Sequence, residues 1–331
     1  MKPELVAHLV CPECRASLKL SNERVGESGE IETGTLVCLG CAQQYPITNF
    51  IPRFVPVSNY AANFGWEWTV HAETQIDKFN GTTITKDRFF RETKWDPRAI
   101  KEQRILEAGS GAGRFTQVVL DAGAVLFSFD LSEAVESNFA TNGSHPNLNL
   151  VQASIHKIPF PKASFEKIFC LGVLQHTPDP QKSFASLLPY LAKNGEIVVD
   201  IYARKSIVTF IQAKYLLRPI TTRMENERLH RVIKAITPPL LRIGDVLNRV
   251  PLIGPKVLLR FLPISMPPKY VPDHKRLEWT ILNTFDAYSP RYDQPQSRQT
   301  LRQWFEQGGL TNIEIFQDPG VAAYVGRGTM P

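Results

Sequence analysis

The sequence holds no stretch of the ~18 uncharged apolar residues that a membrane-crossing helix requires. Its opening residues, Met1 to Val10, show neither a long apolar run nor a small-residue cleavage site, so no secretion leader is expected and a cytoplasmic location is the default. Cysteine is scarce: five in 331 residues, four of them in two C-x-x-C pairs. The G-x-G-x-x-G spacing of a dinucleotide turn is missing as well. Counted from Gly109, its third glycine falls on Arg114; counted from Gly111, it falls on Thr116. No Ser-His-Asp signature stands out. With 43% hydrophobic and 21% charged residues, the composition is that of an ordinary folded chain, and its length suggests about two domains.

What is present is Arg104-Ile-Leu-Glu-Ala-Gly-Ser-Gly-Ala-Gly-Arg114. A short apolar strand ends in Glu107, glycines alternate at Gly109, Gly111 and Gly113, and helical character follows from Phe115. Strand, glycine turn and helix begin a doubly wound α/β sheet. Further strands are expected at Ala124–Phe129, ending on Asp130, then at Leu148–Ala153, Ser164–Leu174 and Glu196–Tyr202. A helix is expected over Gln181–Leu191, with a turn at Lys193-Asn-Gly195. Asp130 at a strand tip suits two ribose hydroxyls, and it equally suits a helix N-cap before Glu133.

The pattern Glu-x-Gly-x-Gly-x-Gly resembles the first motif of class I S-adenosylmethionine (SAM) dependent methyltransferases. Over residues 104–202 the succession is similar to the ubiquinone and menaquinone biosynthesis group. The resemblance implies a Rossmann-like α/β sheet of seven strands, the last antiparallel between the fifth and sixth. It places Glu107 toward the methionine amino group and the glycines under the methionine and ribose. It assigns Asp130, Leu131, Ser154, Ile155 and Leu171 to the cofactor. Ser154 stands where relatives carry Asp, and is a weaker acceptor for adenine. His176 follows the fourth strand, where relatives often carry His-His; with Tyr202 and Tyr288 it is a candidate for catalysis. Cys170 reads as a small core residue.

Cys11-Pro-Glu-Cys14 and Cys38-Leu-Gly-Cys41 can deliver four thiolates to one tetrahedral zinc ion. Disulfides and a redox C-x-x-C are the rivals. Residues 1–55, with Tyr45-Pro-Ile-Thr-Asn-Phe-Ile-Pro52, resemble small zinc ribbons related to the activator subunit of tRNA and protein methyltransferases. The zinc is expected to be structural.

Residues 56–103 read as an aromatic-rich linker or lid (Tyr60, Phe64, Trp66, Trp68, Phe79, Phe89, Phe90, Trp95), with Gln75, Asp77 and Arg88 as possible lining. The catalytic core is placed at 104–203, a basic helical cap insertion at 204–272, and the rest of the domain at 273–331. Residues 204–270 hold thirteen Lys or Arg against three acids, a net of +10 in a chain of +6. Pro238-Pro239 suit a helix start, the many prolines suggest short pieces, and Leu240, Ile243, Leu247 and Val250 recur at helical spacing. Asn283–Tyr292 reads as a proline-broken loop forming a substrate wall. Ser297 is expected to cap a helix over Arg298–Gln307, followed by a hairpin turning at Asp318-Pro-Gly320.

These readings point to methyl transfer from SAM to O or N of a small or lipid-linked metabolite, with peripheral contact at the inner membrane surface through 204–270. An RNA base methyltransferase is one alternative. The Asn/Asp-Pro-Pro-Tyr/Phe tetrapeptide of amino-group methyltransferases is replaced here by Gln175-His176-Thr-Pro. A non-enzymatic SAM-binding or partner-activating protein is the other.

Overall fold

The two C-x-x-C pairs lie together at one end of a small antiparallel sheet. Its strands are β1 (Leu18–Val25), β2 (Ile31–Cys38), β3 (Gln44–Thr48) and β4 (Ile51–Pro52). The computed structural model describes residues 1–56, 60–204, 210–250, 258–268, 270–318 and 321–331. Leu5, Leu9, Leu36 and Ile47 of this ribbon share one core with Phe127, Phe160 and Phe165 of the large sheet. Lys2 Nζ donates to the carbonyls of His145, Pro146 and Leu148 at 2.7–2.8 Å. Arg15 donates to the Ile158 carbonyl at 2.8 Å and to that of Phe160. Such charge-assisted bonds, joined to a continuous apolar core, tie the ribbon to the rest of the chain.

The linker forms α1 (Ala62–Val70), α2 (Asp77–Asn80) and α3 (Ile84–Thr93). Its aromatics divide between two tasks. Phe89 and Trp95 are buried against Phe169. Tyr60, Phe64 and Trp68 instead line a cavity. Asp77 does not join them: its carboxylate accepts the N–H groups of Thr85 and Lys86 at 3.0 and 2.9 Å, pinning the start of α3.

The large sheet has seven strands: β5 (Arg104–Ala108), β6 (Val125–Asp130), β7 (Leu148–Gln152), β8 (Phe165–Cys170), β9 (Leu191–Tyr202), β10 (Thr311–Gln317) and β11 (Ala323–Thr329). Their order is β10-β11-β9-β8-β5-β6-β7, with β5 to β9 parallel and β11 antiparallel between β9 and β10. This is the expected Rossmann-like arrangement. The turn expected at Lys193–Gly195 is instead part of β9, where Asn194 has φ 60° beside a register shift against β8. A left-handed residue of this kind kinks the strand without reversing it. Helix α4 (Arg114–Asp121) follows the glycine turn, α5 (Ala134–Asn142) follows β6, and α6 (Pro180–Leu187) precedes β9. Cys170 is fully buried among apolar neighbours.

Above the sheet lie α7 (Ala213–Thr221), α8 (Asn226–Asn248) and α9 (Arg276–Tyr288). Pro238 and Pro239 start no helix; they sit inside the 23 residues of α8. Each removes an N–H donor, yet Leu229, Ile233, Thr237 and Gly244 keep one buried face of α8, with Leu229 and Ile233 packed on Phe285 and Tyr288 of α9. The Thr237 hydroxyl donates to the Ile233 carbonyl at 2.6 Å, adding a bond next to the break. The buried stripe is therefore not the expected one, and Ile243 and Val250 face outward. Asn283–Tyr288 is likewise helix, not loop, and only the following residues run irregularly. Ser297 caps α10 (Arg298–Gln307) by accepting the Thr300 N–H at 3.0 Å. Of the turn expected at Asp318-Pro-Gly320, Pro319 and Gly320 lie outside the described residues.

Candidate functional site

Beyond the carboxyl ends of β5, β6, β8 and β9 lies a cavity of about 570 Å³, within the range of small-molecule sites. The glycine turn forms its floor. Gly109 and Gly113 have φ of 81° and 87°, and a Cβ on Gly109 would stand 2.3 Å from Val173. A side chain fits neither the backbone angle nor the space. Gly113 faces away from the cavity, toward Asn138 of α5.

Asp130 is tied to this turn. Its Oδ2 accepts the Gly111 N–H at 2.9 Å, and its Oδ1 accepts the N–H and hydroxyl of Ser132 at 2.8 and 2.7 Å. Burial raises its pKa, against these hydrogen bonds. Ser132, rather than Asp130, accepts the Ala134 N–H at the start of α5. Glu107 lies beneath the turn, 1% exposed, accepting from the hydroxyls of Thr116 and Ser128. Burial pushes its pKa up to about 7.

Of the expected cofactor residues, Gly109, Gly111, Asp130, Leu131, Ile155 and Leu171 line the cavity. Glu107, Gly113 and Ser154 are not among its lining residues, and the Ser154 hydroxyl accepts the His156 N–H at 3.2 Å. His176 and Tyr202 do line it. His176 Nδ1 contacts the Tyr292 carbonyl at 3.0 Å. A carbonyl only accepts, so the proton sits on Nδ1 and leaves Nε2 as the acceptor of the neutral ring. The Tyr202 hydroxyl donates to Asp286 Oδ2 at 3.0 Å. Tyr288 is packed in the core of α8 and α9, and burial raises its pKa to about 12. Its helix neighbours Asp286 and Ala287 face the cavity instead.

Gln75 and Arg88 complete the wall as expected, and Arg88 bridges Glu92 and Asp200 at 2.8 and 2.7 Å. Glu67, Asp200 and Lys214 line the cavity too, unanticipated from the sequence, while Asp286 lies in the 283–292 segment expected as a substrate wall. The signal for Asp200 was an acid within the apolar run Ile197-Val-Val-Asp-Ile201. For Glu67 it was the helical spacing with Phe64 and Trp68, which sets all three on one face of α1.

In the ribbon, the four sulfurs of Cys11, Cys14, Cys38 and Cys41 lie within 4.8 Å of one another. Tetrahedral zinc at ~2.3 Å from each sulfur needs a sulfur–sulfur distance of about 3.8 Å. Cys11 and Cys41 are 3.7 Å apart, and Cys14 and Cys38 are 3.3 Å apart. The residue after each pair, Arg15 or Ala42, takes a left-handed turn, so both pairs curl the same way around a common centre. The N–H groups of Gly40 and Cys41 point at Cys38 Sγ, which suits a thiolate. The donor set fits structural zinc, with no position left open for chemistry.

Residues 106–199 match the family model "Methyltransferase domain", and residues 2–49 match "Trm112p-like protein". The chain carries a class I methyltransferase domain behind a zinc ribbon. The methyltransferase domain implies SAM as its methyl donor, and the ribbon implies zinc. An uncharacterised protein of Synechococcus sp. is 26% identical over 63% of this chain and 47% of its own length. A ubiquinone/menaquinone biosynthesis C-methyltransferase of Edwardsiella ictaluri is 28% identical over 34% of this chain and 47% of its own. The chain thus spans about half the length of these curated relatives. A solved complex of the Haloferax volcanii Trm112 methyltransferase activator with a methyltransferase is 12% identical, covering 81% of this chain and 97% of its own, with a TM-score of 0.43.

Proposed function

We propose that this protein transfers the methyl group of SAM to an oxygen or nitrogen of a small or lipid-linked acceptor held between sheet and cap. The observation that carries this is one continuous cavity. Its lining includes the glycine turn and Asp130 together with the acids and aromatics Glu67, His176, Tyr202 and Asp286. The sulfonium supplies the activation of the methyl carbon, so the chain's task is alignment and proton handling. Asp130 accepts the ribose hydroxyls, while Leu131, Ile155 and Leu171 give the adenine an apolar bed. Gly109 and Gly111 allow close approach to the backbone, with Glu107 supporting the turn from below. His176 and Tyr202 shape the acceptor side.

The lipid-linked reading draws on the cap. Gln212, Lys214 and Tyr215 line the cavity, while Leu216 and Ile220 on the same α7 are 60% and 66% exposed. At the end of α8 and in the two residues after it, exposed Ile243, Val246 and Val250 are interleaved with exposed Arg242 and Arg249. Apolar side chains interleaved with cations suit an anionic lipid surface. Among the described residues, no helix is long and apolar enough to cross a membrane.

Incubation of the protein with methyl-labelled SAM and cell extract, followed by fractionation, tests the proposal. Label in lipid or soluble metabolites supports it. Label in RNA or protein overturns the acceptor assignment, and SAM binding without transfer to any fraction overturns the enzymatic reading.

A further inference from the structure

Glu67 has no hydrogen-bond partner for either carboxyl oxygen, although the residue is fully buried and lines the cavity. A buried polar group without a partner is costly, and such a group in a ligand cavity marks where a ligand's donor belongs. The surroundings sharpen this. Across the same face of α1, Phe64 packs on His176 at 5.2 Å, and the Trp68 indole reaches 3.1 Å from where a Cβ on Gly111 would stand. Glu67 lies between them, at the junction of the SAM end and the acceptor end.

The cations of the cavity are otherwise engaged. Arg88 is held by Glu92 and Asp200, and Lys214 by Asp293. Arg114 donates to Gln75 and Thr85. Of the elements packed on α1, α5 brings Glu133 behind Gly65, and α8 brings His230 against Trp66. The α9 carboxylate Asp286 is the charge that acts on Glu67, and it is of the same sign. Burial, and then Asp286, hold the Glu67 pKa well above the usual carboxylate range.

We infer that Glu67 is the base of the methyl transfer, and that the acceptor is a molecule that loses a proton from oxygen or nitrogen as it is methylated. This rests on the SAM-dependent reading above. A positive charge entering the cavity favours the ionised carboxyl, and the displaced proton leaves to solvent. In the transfer itself the acceptor oxygen or nitrogen forms a bond to the methyl carbon. The carbon–sulfur bond breaks with its electron pair going to sulfur, and Glu67 takes the acceptor's proton. The sulfonium and carboxylate charges disappear together. An acceptor that presents an O–H or N–H supplies the donor that Glu67 lacks, whereas an acceptor with neither leaves it unpaired. Asp286, occupied by the Tyr202 hydroxyl, is a positioning residue that sets the charge state of Glu67.

Titration calorimetry of the full chain at pH 7, in two buffers of different protonation heat, counts protons released on binding. Wild type should release about one proton per SAM and about none with S-adenosylhomocysteine, which lacks the sulfonium charge. Glu67→Gln should still bind SAM and release about none. Asp286→Asn provides the second variant: with the neighbouring anion gone, Glu67 ionises earlier, and release at pH 7 should fall while persisting at lower pH. Equal release from wild type and Glu67→Gln, or from the sulfonium and thioether ligands, overturns the role of Glu67 and leaves the methyltransferase reading standing. If wild type fails to bind SAM at all, both are overturned.

Discussion

Asp130 holds the backbone N–H of Gly111 at 2.9 Å, so the acid proposed for the ribose also fixes the turn beneath it. Removing the carboxylate strikes twice, at the ligand and at the turn. Hydrogen bonds to charged groups contribute roughly 1.5–3 kcal/mol, and Asp130→Ala should weaken SAM binding by about ten- to a hundredfold. Gly111→Val should block binding, because Trp68 already crowds the position that the new side chain would take. Calorimetric titration checks both; unchanged affinity in Asp130→Ala would place SAM elsewhere.

The same crowding makes Trp68 a reporter. Its indole covers the glycine turn, so SAM entry must change its surroundings. Tryptophan fluorescence should shift on SAM addition in wild type, and most of that shift should vanish in Trp68→Phe.

Metal analysis should find about one zinc per chain. Cys38→Ser should lose the metal and lower the melting temperature of the whole protein in one transition, because ribbon and sheet share a core. A separate ribbon transition, with the main one unmoved, would show that the shared core does not couple them.

Glu107 gives a pH dependence with a definite sign. Its folded pKa of about 7 lies above the ordinary 4.5. The stability it contributes is therefore fully present below pH 4.5 and is lost as pH rises through 7. Chemical denaturation of Glu107→Gln should decline less over that window than the parent. Parallel curves would mean that Glu107 titrates normally.

Arg242, Arg249 and Arg260 are exposed on the cap. If the cap meets anionic lipid, each adds about 1 kcal/mol of attraction, weakened by salt. The protein should sediment with anionic but not neutral vesicles at low salt. The triple change to Gln should abolish this while SAM affinity stays intact.

Much of the glycine-turn wall of the cavity was legible in the sequence because it is local. Gly109, Gly111 and Asp130 follow from a strand ending in a turn, whose spacing is fixed by geometry within a few residues, whereas Glu107 and Gly113, read from the same motif, lie outside the lining. The opposite wall was less so, because Glu67 and Lys214 arrive on α1 and α7, whose rotation is set by distant packing. Tyr288 and Asp286 differ by two positions on α9, and only the burial of Phe285 against α8 decides which of them meets the cavity. The prolines of α8 misled for a related reason: their local cost is fixed, while the apolar face that outweighs it belongs to the tertiary fold.

The place of β11 between β9 and β10 bears on how the protein is made. During synthesis β9 emerges with one edge bare, and more than a hundred further residues pass before its neighbour exists. That edge carries the run Ile197–Ile201, which is apolar but for Asp200 and is a ready template for stray pairing. Until β11 is made the nascent chain exposes this edge, and chaperone demand should fall on this interval.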